Sequence, residues 1–399
     1  MRAGINCCPL RPDTGGARQY LLGLLDSLSA GENGVVDCVL FCLPETSGEF
    51  DAALRERLRD KIVIVEQEND IRDHIHKCDV YFCPFGVLLP ERIFKPAVVM
   101  LPDIQEAYYP EFFSRGALLS RYYHHPASTR AADRVLTVSE FSRRSIVEHH
   151  GISAGKIDVA AHYASEAFHN AERTAQAATI RPPFERFILY PANRWHHKNH
   201  DILLRALALL RQRDTRVRVN AVFTGHEVSG GYPLLEKARE YEVSGQIWNA
   251  GHVSEADLAW LYWKADMLVF PSLFEGFGMP PLEAMAAGCP VAASSSTALP
   301  ETCGDAALYF DARSPSEVAA AIERLLGDES LRDELIERGR ARAGQFSRER
   351  MIGQHIETFR KAINSYSPAR TFWYGFVRNP AWRAYVLLRS RLPGKGRIY

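Results

Sequence analysis

Residues 267–294 read MLVFPSLFEGFGMPPLEAMAAGCPVAAS, and the fold turns on this stretch. MLVF reads as a short buried strand, and PVAAS (290–294) reads as another. Between them stand Gly276 and Gly278, which let the backbone turn tightly and approach a ligand closely. Pro280 and Pro281 then suit a first helical turn, predicting a helix near 280–287. Strand, turn, helix and strand make a βαβ unit, whose two strands run parallel.

The same alternation extends in both directions. Towards the N-terminus lie QIWNA with a helix over 254–264, VRVNAVF with a helix near 233–243, and FILYPA with a helix from about 197 to 211. Ser254 and Asp257 form a variant of the capping box at the start of their helix. In the first half the predicted strands are 2–7, 36–42, 62–65, 80–83, 97–101 and 134–138. An amphipathic helix over 17–29 carries Leu21, Leu22, Leu25 and Leu28 on one face. Around 166–185 the pattern dissolves and ends in Pro182-Pro183, which reads as a linker. The expected organisation is therefore an N-terminal Rossmann-like domain (1–170), a linker (171–185), a second Rossmann-like domain (186–365) and a basic aromatic tail (366–399). Ligands of such α/β folds sit at the carboxyl ends of the strands, here expected in a cleft between the two domains.

Composition narrows the function. The 399 residues are 46% hydrophobic and 24% charged, as in ordinary globular proteins. No run of about 18 uncharged apolar residues suggests a membrane span, and MRAGINCCPLRPD lacks the apolar core of a signal peptide. A cytoplasmic protein is expected. The formal charge is zero, which disfavours a nucleic-acid partner. Residues 367–399, however, hold seven cations and no acid, leaving 41 basic against 48 acidic residues in the rest. The eight cysteines form no C-x-x-C pair and read as buried free thiols. Neither the dinucleotide fingerprint G-x-G-x-x-G nor G-x-x-x-x-G-K-[ST] follows the first strand, so hydride transfer and P-loop chemistry are disfavoured.

The 267–294 stretch also carries chemistry. A helix N-terminus facing the ligand side of a sheet attracts an anion, most simply a diphosphate. Glu275 and Glu283, eight residues apart, cannot bind phosphates and are expected to read hydroxyl groups. A sugar nucleotide offers both a diphosphate and hydroxyls. The alternative is structural, with Glu275 a loop carboxylate and Glu283 a helix acid favoured by the dipole.

Together these residues resemble the E-x7-E signature of glycosyltransferase family 4, the retaining transferases of GT-B fold. VFTG (222–225), GHVSEADLAWLYWKADMLVFPS (251–272), LPET (299–302) and TVSEFSRRSIVEHHGISAGKIDV (137–159) extend the resemblance. YPANRWHHKNH (190–200) is similar to bacterial mannosyltransferases that build polysaccharides. The resemblance implies that Glu275 contacts the transferred sugar, that Gly276, Phe277, Gly278 and Met279 bind the donor through their backbone, and that Glu283 binds the ribose. Arg194 and Lys198 would neutralise the diphosphate, where fixed cations stabilise the charge that a leaving group gains. As mere helix N-terminal residues these cations would oppose the dipole. Thr224, Gly225, His252 and Val253 would line the nucleobase pocket. Gly15 and Gly16 are similar to the family's glycine loop, though ordinary turn glycines fit as well.

One departure stands out. Relatives often carry His-Asp after the strand that corresponds to AVVML, and this chain has Pro102-Asp103. Asp103 would then orient the acceptor, or serve as a turn residue. The expected reaction is metal-independent transfer of a hexose, with retention, from a nucleotide sugar such as GDP-mannose to a saccharide or lipid-linked acceptor of a cell-surface polysaccharide or glycolipid. A UDP- or dTDP-sugar donor, a sugar-nucleotide epimerase and a membrane-bound scaffold without catalysis are the rivals. The tail mixes cations with aromatics, which suits an anionic membrane surface; packing back on the first domain is the other reading.

Overall fold

A computed structural model of the chain describes residues 1–11, 16–29, 36–213 and 219–390. Their strands form two parallel sheets, one in each of two compact units. The first contains β1 (Arg2–Asn6), β2 (Asp37–Cys42), β3 (Ile62–Ile64), β4 (Val80–Cys83), β5 (Ala97–Met100), β6 (Arg134–Thr137) and β7 (Ile157–Val159), in the order 3-2-1-4-5-6-7. The second contains β8 (Ile188–Pro191), β9 (Ala221–Thr224), β10 (Ile247–Gly251), β11 (Met267–Phe270), β12 (Val291–Ser294) and β13 (Ala307–Phe310), in the order 10-9-8-11-12-13. Two Rossmann-like α/β units were expected, and two are present.

The strands form where they do because parallel sheets are covered on both faces. Every residue of β4, β5, β8, β9, β11 and β12 is buried, matching their uninterrupted apolar runs. Helices fill the space beside them. In His200–Gln212, Leu203, Leu204, Ala206, Leu207 and Leu210 are buried, and Met279–Ala286 returns the chain from β11 to β12. In each sheet the order reverses once: β1 lies between β2 and β4, and β8 lies between β9 and β11.

The unit boundaries differ from the sequence-based ones. The first unit comprises Met1–His162 and the chain from Arg348 onward; the second is Tyr163–Ser347. The chain thus returns to the first unit 18 residues before position 366, with the Arg348–Ser365 helix. That helix buries Met351, Ile352, His355, Ile356 and Phe359. Phe359 lies 5.4 Å from Phe82 of β4, and the hydroxyl of Tyr20 is hydrogen-bonded to His355 Nε2.

The expected linker is also corrected. Residues 166–177 form short helical turns within the second unit, packed on the Glu255–Lys264 helix. Phe168 meets Tyr262 edge-on at 5.6 Å, and Ala171, Ala175 and Ala178 are buried at helical spacing. Small alanines carry little apolar signal in sequence, which is why the stretch reads as unstructured. Asp257 fixes the segment by accepting from the backbone N–H of Thr179 and Ile180 while Ser254 caps the same helix.

The tail packs on the first unit through Pro368–Trp373, a π-helical turn at Tyr374–Arg378 and Asn379–Ser390. Trp382 Nε1 donates to the carbonyl of Tyr122 at 3.1 Å, and Arg370 pairs with Asp133. Among the described residues no helix is long and apolar enough to cross a membrane. All eight cysteines are free and buried.

Candidate active site

The second sheet reverses its order between β8 and β11, and the loops leaving the carboxyl ends of those two strands build the site. The loop after β8 carries Lys198 and the loop after β11 carries Glu275. Lys198 Nζ lies 2.6 Å from Glu275 Oε1, and both side chains are mostly buried. Ser272 Oγ donates to the same carboxylate oxygen at 2.6 Å, while Thr297 Oγ1 accepts from the Glu275 N–H at 3.0 Å.

The pair is held by the turn that precedes the His200–Gln212 helix. Asn199 adopts a left-handed conformation, φ 59°, one that Asn tolerates better than most residues. Its amide donates to the carbonyls of Pro271 at 3.1 Å and Ala312 at 2.7 Å, locking the β8 loop against the β11 loop. Leu273 N–H donates to the His197 carbonyl at 2.8 Å, and the Tyr190 hydroxyl donates to the Lys198 carbonyl. Lysine and carboxylate are therefore fixed by backbone as well as by each other.

Arg194 does not join them. Its guanidinium is buried and donates to the carbonyls of Ala192 at 3.0 Å and Thr224 at 3.3 Å and to Asn249 Oδ1, with His200 Nε2 3.0 Å away. It ties together the ends of β8, β9 and β10. In this arrangement a planar fork of donors meets a cluster of strand-end carbonyls, and the Arg194 Nε–H is buried without a partner among the described residues. Burial, outweighing nearby negative groups, lowers the Arg194 pKa from its ordinary value. It also pushes the His200 imidazole down to about 3, with the Arg194 charge adding to the effect.

The Met279–Ala286 helix starts at Gly278, whose φ is 114°. A side chain there would strain the backbone, and its Cβ would stand 2.7 Å from Leu299 Cδ2. No side chain caps this N-terminus. Pro280 and Pro281 have no N–H, so of the first three helical residues only Met279 supplies a donor. The anion-binding capacity expected here thus falls to the helix dipole and to backbone N–H groups at and before Met279. Thr302 Oγ1 donates to the Phe277 carbonyl at 2.6 Å, which places the LPET segment behind this loop.

Glu283 lies one turn further along the helix and accepts from the Tyr262 hydroxyl at 3.0 Å. Loss of water raises its carboxyl pKa to about 7; the Tyr262 bond opposes that shift and Glu255 adds to it. The nucleobase candidates lie after β9 and β10. Thr224 is buried, and Gly225, at φ 109°, has no room for a side chain because a Cβ would stand 2.6 Å from the Ala192 carbonyl. His252 is exposed and stacks on His226, centroids 4.1 Å apart; Val253 is half-buried beside it. Loss of water, aided by His226, lowers the His252 pKa.

In the first unit, Gly15 lies outside the described residues. Gly16 opens the Gly16–Ser29 helix, and a Cβ there would touch nothing. Asp103 accepts from the Gln105 N–H at 3.1 Å in a turn after β5. Sequence reasoning missed the buried pair beside it, in which Glu106 Oε1 lies 2.7 Å from His125 Nδ1. It also missed Ser272, Thr297 and Tyr262, which orient the two glutamates. Of these only Ser272 left a trace, three residues before Glu275.

With that geometry in view, comparison with known proteins gives the class. The profile of the family Glycosyl transferases group 1 matches residues 172–342. The chain belongs to that family. It is similar to O-antigen chain mannosyltransferase B of Escherichia coli, with 31% identity over 295 residues that cover 73% of this chain and 75% of that protein. It is also similar to serotype-specific mannosyltransferase WbdA of Escherichia coli, 28% identical over 61% of this chain but only 31% of that much longer protein. Among solved structures the fold is shared with Anabaena Alr3699/HepE in complex with UDP and glucose. The TM-score there is 0.66 at 17% identity, over 90% of this chain and 99% of that one. WaaG, a glycosyltransferase involved in lipopolysaccharide biosynthesis, gives 0.63 at 15% identity over 90% and 99%. Both sheets thus match the GT-B glycosyltransferase architecture.

Proposed function

We propose that this glycosyltransferase moves mannose from GDP-mannose, with retention of anomeric configuration and without a metal ion, to a saccharide or lipid-linked acceptor in the synthesis of a cell-surface polysaccharide. The observation that carries the reading is the Lys198–Glu275 pair, fixed at the reversal point of the second sheet beside an uncapped helix N-terminus. A nucleoside diphosphate leaves with added negative charge. The Lys198 ammonium and the positive end of the Met279–Ala286 helix stabilise that charge without reorganising. Glu275, already oriented by Ser272 and Thr297, accepts hydrogen bonds from hydroxyls of the transferred sugar. Glu283 accepts from the ribose. The bond from the anomeric carbon to the phosphate oxygen breaks as the bond to the acceptor oxygen forms, and the departing phosphate takes the acceptor proton.

Similarity to the two mannosyltransferases supports mannose, and the cationic tail supports an acceptor held at the inner face of a membrane. A UDP-sugar donor is the second reading, favoured by the UDP bound in HepE, a protein of like fold. The test is transfer of labelled sugar from GDP-mannose and from UDP-glucose, with chelator or magnesium, and assignment of the product anomer by NMR. Transfer from GDP-mannose in chelator, with retention, is expected. Transfer from UDP-glucose alone moves the assignment to the second reading.

A further inference from the structure

The two sides of the tail differ in a way that its packing does not explain. One side docks on the first unit: Gly375, Asn379 and Val386 are buried, and Trp382 bonds the Tyr122 carbonyl while Arg130 stacks on its ring at 4.6 Å. These four positions are spaced as one helical stripe. The opposite side faces water with Phe372 54% exposed, Trp373 52%, Phe376 44%, Val377 42% and Leu388 64%. Of the exposed positions between them, 380, 381 and 384 hold proline and alanine, 378 and 383 hold arginine and 385 holds tyrosine, while Arg92 lies over one edge of the surface, 4.3 Å from the Phe376 ring. A helix face meant for water carries charged and polar side chains instead. Phe372 and Phe376 stack at 4.9 Å, so the apolar surface is continuous there.

Charge identifies what covers this face. Residues 367–399 hold seven cations and no acid, while the rest of the chain is net negative. Arg370 and Arg383 are paired with Asp133 and Glu91 of the first unit. Arg378 is exposed beside the apolar face and makes no ion pair among the described residues. Arg389, Arg391, Lys395 and Arg397 follow in the sequence. A second copy of this chain, docked through the same face about a two-fold axis, would bring these like charges together. An anionic bilayer attracts them and admits aromatic and aliphatic side chains at its headgroup boundary. The net-negative remainder is repelled by the same surface, which orients the approach tail first.

We infer that the outward face of residues 372–388 is a membrane-docking surface that inserts its aromatic and aliphatic side chains among anionic lipid headgroups. The inference rests on the reading that the acceptor is held at a membrane, but not on the donor assignment. The test is co-sedimentation of the full chain with vesicles of phosphatidylcholine alone and of phosphatidylcholine mixed with phosphatidylglycerol. The triple variant Phe372→Ser, Val377→Ser, Leu388→Ser, which spares Phe376 and its contact with Arg92, is measured beside it. All three positions are exposed, so the variant keeps its melting temperature. The expected result is binding to the phosphatidylglycerol vesicles that weakens with salt, and a loss of about tenfold in affinity in the variant. Equal binding by the variant, no vesicle binding, or a dimer that the variant dissolves would each overturn the proposal. Nucleotide-induced stabilisation, measured on the same two proteins, reads the donor site separately and stays unchanged in the variant.

Discussion

Lys198 Nζ and Glu275 Oε1 stand 2.6 Å apart although 77 residues separate them in the chain. The contact exists because β8 and β11 are neighbours and their loops are tied by Asn199. Removing either side chain leaves its partner partly buried without its counter-charge. Glu275→Ala and Lys198→Ala are each expected to reduce sugar transfer by about a hundredfold to a thousandfold. Because the two residues act as a unit, the double variant should lose little more than either single one. Initial rates of all three variants, each with its melting curve, check this.

Arg194 gives the opposite expectation. Its donors serve Ala192, Thr224 and Asn249, so Arg194→Met should act first on stability. A loss of about 2 kcal/mol is expected, since the half-buried Asn249 Oδ1 and the buried Ala192 carbonyl would lose the guanidinium, while the Thr224 carbonyl keeps the Ala192 N–H at 3.2 Å. Urea unfolding without nucleotide measures it. A variant of normal stability with weak nucleotide binding would return Arg194 to the diphosphate.

Glu283 predicts a pH dependence of defined sign. Its carboxyl titrates at about 7 in the folded protein, against about 4.3 in an unfolded chain. Between those values the folded protein keeps a proton that the unfolded chain has released. Stability therefore falls as pH rises through this window, and the full penalty is present above it. Glu283→Gln should flatten that slope, being more stable than the parent at pH 8 and similar near pH 4. Ribose hydroxyls require the ionised form, so nucleotide binding should strengthen across the same range. Melting temperatures of both proteins with and without nucleotide, recorded against pH, separate the two effects.

Gly225→Ala would place a methyl group 2.6 Å from the Ala192 carbonyl at a backbone angle L side chains rarely adopt. A loss of about 2 kcal/mol or more is expected, read from the urea midpoint. Gly16→Ala, where a Cβ meets nothing, should leave stability within about 0.5 kcal/mol of the parent.

The βαβ rhythm was legible because β4, β5, β8, β9, β11 and β12 are short apolar runs buried on both faces. β7 and β13 were missed as strands. Both lie at sheet edges, and their half-buried positions, such as Asp158 and Tyr309, weaken the apolar signal. The helical turns after Ser165 were hidden by alanine, and the tail's union with the first unit depends on contacts across more than 200 residues, such as Trp382 with Tyr122. Within the candidate site, residue types announced Lys198, Glu275 and Glu283. What each one touches could not be read in advance. Arg194 and Lys198 sit four positions apart and look equivalent in sequence, yet one is enclosed by carbonyls and the other meets a carboxylate.

Transfer by this protein requires that the loops after β8 and β11 bind a nucleotide-sugar donor. It is tested most directly by thermal stabilisation with GDP, UDP, ADP and dTDP, each with and without magnesium, on the parent protein and on Lys198→Ala. Selective stabilisation by GDP, independent of magnesium and largely lost in Lys198→Ala, is expected. No stabilisation by any nucleotide, or an undiminished shift in that variant, would contradict it.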